Sequence, residues 1–191
     1  MKTLLKFILA LSLTACGASL EKPSTDSFVE EEEQEVSWEN CAQQVGSHPC
    51  DFTLRDQHDN DVSLYDFYGS IVVLDLSAMW CAPCQAAAKA AEDVVDSYGH
   101  DKVQWVTILI EDSQGNAPDL DDLQAWASAY HGSSPIIAGD RSLIDVSGNS
   151  GFPLTSWPTF LIIDKGLNVK WILKGWGEEE IRLLIEDVLK N

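Results

Sequence analysis

The stretch that most limits what this chain can become is "SIVVLDLSAMWCAPCQAAAKAAEDVVDSYG", residues 70–99. Its first part is a continuous apolar run rich in β-branched residues, the pattern of a strand buried on both faces. Residues 82–98 then read as a helix, with Pro83 in the first turn, where a missing N–H costs nothing, and Gly99 ending it. Two cysteines, Cys81 and Cys84, stand at the junction. A central strand that runs straight into a helix points to an α/β architecture.

The flanking sequence agrees. "DFTLRD" and "DVSLYDFYG" read as short strands and a turn, and "KVQWVTILIED" as a second buried strand. Residues 118–131 form a helix opened by Pro118, with Asp119, Asp121 and Asp122 at its positive end. "PIIAG" is a short strand, and "PTFLIID" and "NVKWILKG" form a hairpin through Lys165 and Gly166. "EEEIRLLIEDVLK" closes the chain as an amphipathic helix. The expected fold is therefore an α/β three-layer sandwich around a central mixed sheet. Trp105, Trp126 and Trp171 fall on periodic apolar faces and are expected in the core.

A thiol at a helix start meets unpaired N–H groups and the positive end of the helix dipole, both of which stabilise a thiolate. Lowering a thiol pKa from about 8.5 to about 7 takes only about 2 kcal/mol. Cys84, one turn further on, is placed to attack a mixed disulfide formed at Cys81, and Pro83 stiffens the turn between them. A zinc site would need a second ligand pair, and Cys41 and Cys50 do not form another Cys-x-x-Cys. No metal is expected at the pair. A structural crosslink over so short a loop is geometrically tight. Cu(I) suits soft thiolates, so a copper-delivery module using the same cysteines is the alternative, although none of His48, His58, His100 or His131 is placed at the pair by a motif. A lipoprotein with a retired site is a third reading. Thiol–disulfide exchange needs the fewest further ligands.

The compartment follows from the first residues. Lys2 and Lys6 precede the apolar stretch Phe7 to Leu13, which has the length of a signal h-region and falls short of the roughly 20 residues that span a bilayer. "LTAC" at 13–16 resembles the lipobox of bacterial lipoproteins, which implies cleavage before Cys16 and a lipid on it; an ordinary signal peptide is the other reading. The expected organisation is a signal peptide at 1–15, an acidic tether at 16–37 and a folded domain at 38–191. The tether, with Glu30 to Glu33 in a row, buries too little apolar surface to order itself. In an exported chain, disulfides persist. The net charge of −19 argues against nucleic acid or an anionic membrane surface as partner, so membrane contact would come from the lipid on Cys16.

"VVLDLSAMWCAPC" resembles the active-site strand and turn of the thioredoxin superfamily. The wider frame, "DFTLRDQHDNDVSLYDFYGSIVVLDLSAMWCAPC", resembles membrane-tethered extracytoplasmic thiol–disulfide oxidoreductases of the TlpA/ResA type, over residues 50 to 190. The resemblance implies a thioredoxin-like fold with Cys81 as nucleophile and Cys84 as resolving thiol. It implies Pro158 of "SWPTF" as a cis-proline facing them, although a strand-start proline reads the same way in sequence. Trp157 and Trp80 become partner-facing surface beside it, together with Pro83. Asp75 falls where thioredoxins keep a buried acid able to take the Cys84 proton; its bland reading is an Asp that reaches water or caps a backbone group. No organic cofactor is implied, since the dithiol carries the electrons. The implied partners are cysteine-containing exported proteins and, for a reductase, a membrane electron donor. The single-nucleophile motif of peroxiredoxins is absent.

The sequence departs from the family at Ser77, at Met79 and in the Gly/Ser-rich approach "SLIDVSGNSGFPLTSWPT", which bears on partner choice. Cys41 and Cys50 bracket "AQQVGSHP". They read either as a structural disulfide or as a second redox pair relaying electrons to Cys81 and Cys84.

Overall fold

Every one of the eight residues of β3 (Ile71–Ala78) is buried, and the rest of the molecule is arranged around it. The computed structural model describes residues 36–130 and 132–190. The expected signal peptide, Cys16 and most of the acidic tether lie outside them. β3 pairs parallel with β4 (Val103–Glu111) and antiparallel with β6 (Thr159–Ile163). β5 (Ile136–Ala138) extends the parallel side and β7 (Val169–Lys174) the antiparallel side, giving the order β5-β4-β3-β6-β7. The sheet is mixed, as expected.

Alternation along the strands divides the core in two. Ile71, Val73, Trp105, Phe160 and Ile162 face α1 (Ala82–Tyr98) and α3 (Glu178–Lys190). Leu109 and Ile136 face the N-terminal part of α1 and also α2 (Leu120–Tyr130). Val72, Leu74, Leu76, Val106, Ile108 and Leu161 face the other way. That side is covered by the hairpin β1 (Thr53–Arg55) and β2 (Asp61–Ser63), the short 3-10 helix Leu64–Phe67, and the connection between β5 and β6. The third layer is thus built largely of short elements rather than long helices.

Four loops share one device. Residues 56–60, 112–116, 145–149 and 164–168 all read Asp-x-x-x-Asn. In each, the Asp carboxylate accepts the backbone N–H groups two and four residues on: His58 and Asn60, Gln114 and Asn116, Ser147 and Asn149, Gly166 and Asn168. The Asp carbonyl accepts from the residue three on, which has positive φ: Asp59 (63°), Gly115 (88°), Gly148 (73°) and Leu167 (54°). These donors outweigh burial at Asp56 and hold its carboxyl below the ordinary range; at Asp112 the Asn116 N–H leads, and at Asp145 the Ser147 hydroxyl. The folded values lie below the ~3.9 of an unfolded chain, so the stability they add is present above that pH and is lost as pH falls through the lower values.

The sequence expectations need two corrections. The second helix starts at Leu120, not Pro118, because Asp119 and Asp122 cap it reciprocally, each carboxylate accepting the other's N–H. The β6–β7 hairpin runs through Lys165 and Gly166 as expected, and the left-handed residue of its 164–168 loop is the core-buried Leu167. Trp171 is 43% exposed on the sheet's edge strand, its indole donating to Asp187, whereas Trp105 and Trp126 are buried as expected.

Cys41 and Cys50 are bonded, and the segment between them is stitched to the β6–β7 turn: Gly46 and Ser47 exchange backbone bonds with Val169, and His48 bonds the Leu167 carbonyl. Trp38 stacks on His48. Two stability outcomes follow from these loops. Gly115→Ala costs about 1 kcal/mol, since a Cβ there has room, 3.8 Å from Glu111 Oε2, but the backbone is left-handed. Replacing Cys41 and Cys50 by serine removes a short crosslinked loop and costs about 2–3 kcal/mol. Urea midpoints check both.

Candidate functional site

The strand register brings the sequence-predicted residues to one end of the sheet. Leu76 of β3 faces Thr159 of β6, so Pro158 lies beside the turn that follows β3. In that turn, Met79 N–H donates to the Glu111 carbonyl and Cys81 N–H to the Ala78 carbonyl. Gln85 donates its side-chain amide to the Met79 carbonyl at 2.8 Å. The turn is thereby tied to β4, to β3 and to the helix it starts.

Cys81 is the N-cap of α1, and its sulfur accepts the Cys84 N–H at 3.2 Å. A sulfur in this position receives a helix N–H and the dipole's positive end, as the spacing predicted. Pro83 occupies the first turn and is exposed. Cys81 and Cys84 are joined as a disulfide; Cys84 is fully buried and Cys81 is 3% exposed. Both pack against Ala88, Leu109, Leu123 and Trp126.

The Trp157–Pro158 bond is cis, as the resemblance implied. Pro158 is buried, and its carbonyl accepts the Gly175 N–H at 2.8 Å, fastening the loop to the end of β7. Trp80 is 46% exposed and meets Trp157 edge-on, with ring centroids 5.7 Å apart. Two indoles thus wall the disulfide on its solvent side.

Asp75 lies beneath. It shares the parity of Val73, so it faces α1, between the layer of Trp105 and Phe160 and the layer containing Cys84. It is fully buried and neither reaches water nor caps a backbone group. The Ser77 hydroxyl donates to Oδ1 at 2.7 Å and the Thr107 hydroxyl to Oδ2 at 3.4 Å. The Trp105 indole N–H acts on the same carboxyl without meeting hydrogen-bond geometry. Burial dominates over these donors and pushes the carboxyl up to about 7. A small cavity walled by Ala88, Ala91, Trp126 and Tyr130 reaches Trp105 and Thr107 from the α1–α2 side.

The structure also locates what the sequence reading missed. Ser77, in sequence a departure from the family pattern, is the carboxyl's nearest donor. Thr107 and Glu111 were absorbed into an apolar strand pattern; the signal was two polar residues in "VTILIED". Within the loop closed by Cys41–Cys50, Gly46 and Ser47 bond Val169, which faces Ile163 at the opposite end of β6 from Pro158. Among the described residues, the group whose metal-ligating atoms gather within 4.8 Å is Glu92, Asp96 and His100, which includes neither cysteine. No described helix is long and apolar enough to cross a membrane.

Comparison with known proteins gives consistent results. A family model described as the AhpC/TSA family matches residues 45–172. The thioredoxin-like protein YneN of Bacillus subtilis is 30% identical over 123 residues, covering 64% of this chain and 66% of its own length. Among solved structures, a thioredoxin-family thiol:disulfide interchange protein of Chlorobium tepidum superposes with a TM-score of 0.60 at 16% identity, covering 81% of this chain and 99% of that one. An exposed lipoprotein thioredoxin of Streptococcus pneumoniae gives 0.56 at 23%, covering 72% and 99%. The fold is thioredoxin-like.

An ionised Asp75 opposes folding, because its folded pKa stands above the ~3.9 of an unfolded chain. Its contribution is favourable at low pH and is lost as the pH rises towards about 7. Asp75→Asn is therefore expected to gain stability over the parent, on the order of 2–4 kcal/mol more at pH 8 than at pH 4. Paired urea unfolding of the oxidised proteins measures the difference, and a pH-independent gap would refute it.

Proposed function

The chain belongs to the AhpC/TSA family, and from that premise we propose that it exchanges thiols and disulfides with protein partners through Cys81 and Cys84. The observation that carries this reading is the Cys81–Cys84 disulfide at the start of α1, set above a buried carboxyl and beside a cis-proline. Thioredoxin-like relatives and the thiol:disulfide interchange proteins among the structural neighbours support it.

In the reducing direction, the Cys81 thiolate attacks one sulfur of a partner disulfide, and the partner's other sulfur leaves as a thiolate that takes a proton. A mixed disulfide then joins Cys81 to the partner. Asp75 accepts the Cys84 proton, and the Cys84 thiolate attacks Cys81 Sγ, closing the internal disulfide and releasing the partner's second thiolate. The partner gains two electrons and the pair loses two. Run backwards, the same steps donate a disulfide. A carboxyl with a pKa near 7 suits proton transfer at neutral pH, and a helix-start sulfur suits the attacking thiolate.

Trp80, Pro83 and Trp157 form the surface on which the partner docks, backed by the buried Pro158. The protein works outside the cytoplasm, held to a membrane by lipid on Cys16. Its partners are exported proteins with reactive cysteines, and a membrane electron donor recharges it when it acts as a reductase. No organic cofactor is needed. The Cys41–Cys50 bond pins the N-terminal segment to the fold.

Cys84→Ser should trap the mixed disulfide and accumulate partner adducts that thiols release, whereas Cys81→Ser should form none. The potential of the pair decides direction: about −270 mV marks a reductase and about −120 mV an oxidant. Equilibration in graded glutathione buffers, with the oxidation of the Cys81–Cys84 peptide counted by mass, gives the value. A pair that never titrates, or that holds stoichiometric copper, overturns the reading.

A further inference from the structure

Glu111 ends β4 as a carboxylate whose side chain is only 3% exposed. Its two oxygens serve different elements. Oε2 accepts the Trp80 indole N–H at 2.7 Å; Oε1 accepts no hydrogen bond among the described residues and stands in ion-pair contact with the guanidinium of Arg141, whose side chain is 70% exposed. Arg141 stands at the start of the β5–β6 connection, in a 3-10 turn (Arg141–Leu143) capped by Asp140. The same connection ends at Trp157, which meets the other side of the contact as the edge-on partner of Trp80. One connection therefore grips Trp80 twice, through Glu111 at its beginning and through Trp157 at its end.

A carboxylate withdrawn from water needs a compensating charge. Here the cation reaches in from the rim, and the neutral pair so formed adjoins the turn carrying the disulfide, since the Glu111 carbonyl also accepts the Met79 N–H. We propose that Glu111 and Arg141 are positioning residues that hold Trp80 beside the dithiol and, as a balanced ion pair, set the reactivity of Cys81. The proposal rests on the exchange reading above.

The physical argument is electrostatic. Charges act over several ångströms where solvent screens them poorly. With Arg141 in place, the Glu111 charge is cancelled locally. Without it, an uncompensated anion near the sulfur disfavours the thiolate; with Glu111 neutralised, the remaining cation favours it. The other titratable groups on elements around Cys81 are Cys84, Lys89, Glu92, Asp93, Asp96 and Tyr98 on α1, Asp75 on β3, Asp112 just after β4, and Asp121, Asp122 and Tyr130 on α2; neither substitution below alters them. A more stable thiolate stabilises the reduced form and makes the pair more oxidising, and a less stable one does the reverse.

The test uses the full chain. The exchange measured is protein disulfide plus two glutathione thiols giving protein dithiol plus glutathione disulfide. Arg141→Gln is expected to move this equilibrium about three- to tenfold toward the protein disulfide and to raise the pH midpoint of Cys81 alkylation. Glu111→Gln, which keeps an acceptor for the Trp80 N–H, should move both the opposite way by a similar factor. Arg141→Lys should leave both within about twofold of the parent. A purely structural role would slow exchange in both variants without shifts of opposite sign. Shifts of one sign, or none while the pair still titrates, overturn this proposal alone, and a pair that never exchanges with glutathione overturns the exchange reading as well. Should Glu111→Gln fail to fold, Arg141→Gln decides, because its side chain lies largely in solvent.

Discussion

Everything at the site is indexed to the hydrogen-bond ladders on the two sides of β3. The parallel ladder to β4 sets Asp75 against Thr107 and Ala78 against Glu111; the antiparallel ladder to β6 sets Leu76 against Thr159. A slip of one residue on either side would turn Asp75 out of the helix-facing layer or carry Pro158 away from Cys81. The full burial of β3 on both faces is what forbids such a slip. The apolar run thus does more than fill the core, because its register locates the sulfurs, the acid and the proline.

Two carboxyls near this end of the sheet illustrate opposite uses of burial. Asp75 is enclosed with neutral hydroxyl donors and no cation, so desolvation dominates and its proton is held to near neutrality. Glu111 is enclosed with the Arg141 guanidinium against one oxygen and the Trp80 indole N–H on the other. The difference lies in the neighbours, not in depth. One acid is suited to moving a proton, the other to holding a side chain in place.

The sequence reading reached the mixed sheet, the three long helices, the cysteine pair at a helix start and the cis-proline, because each rests on local spacing or on a short specific motif. It did not reach Glu111, Thr107 or Arg141. Their roles depend on strands and loops distant in sequence, and a polar residue inside an apolar run looks the same whether it meets solvent or a partner. Trp171 failed for a related reason: period-2 alternation shows which residues share a face, but not that the strand lies at the sheet's edge. The Asp-x-x-x-Asn pattern of the four loops stands in the sequence, where the same letters also occur at 187–191. It went unread because the five-residue pattern matters only when its fourth residue turns left-handed, which composition does not announce.

The connection leading to the cis-proline is rich in glycine and serine, a composition that ordinarily gives a pliant segment. Instead the Asp145 carboxylate gathers three of its residues, Ser147, Asn149 and Ser150, Ile144 bridges Phe152, and Phe152 and Leu154 are sunk in the core. Much of its conformational entropy is surrendered when the domain folds. Whatever settles against Trp157 therefore meets a surface already ordered, and recognition there selects by fit to a standing shape rather than by moulding the loop around each arrival.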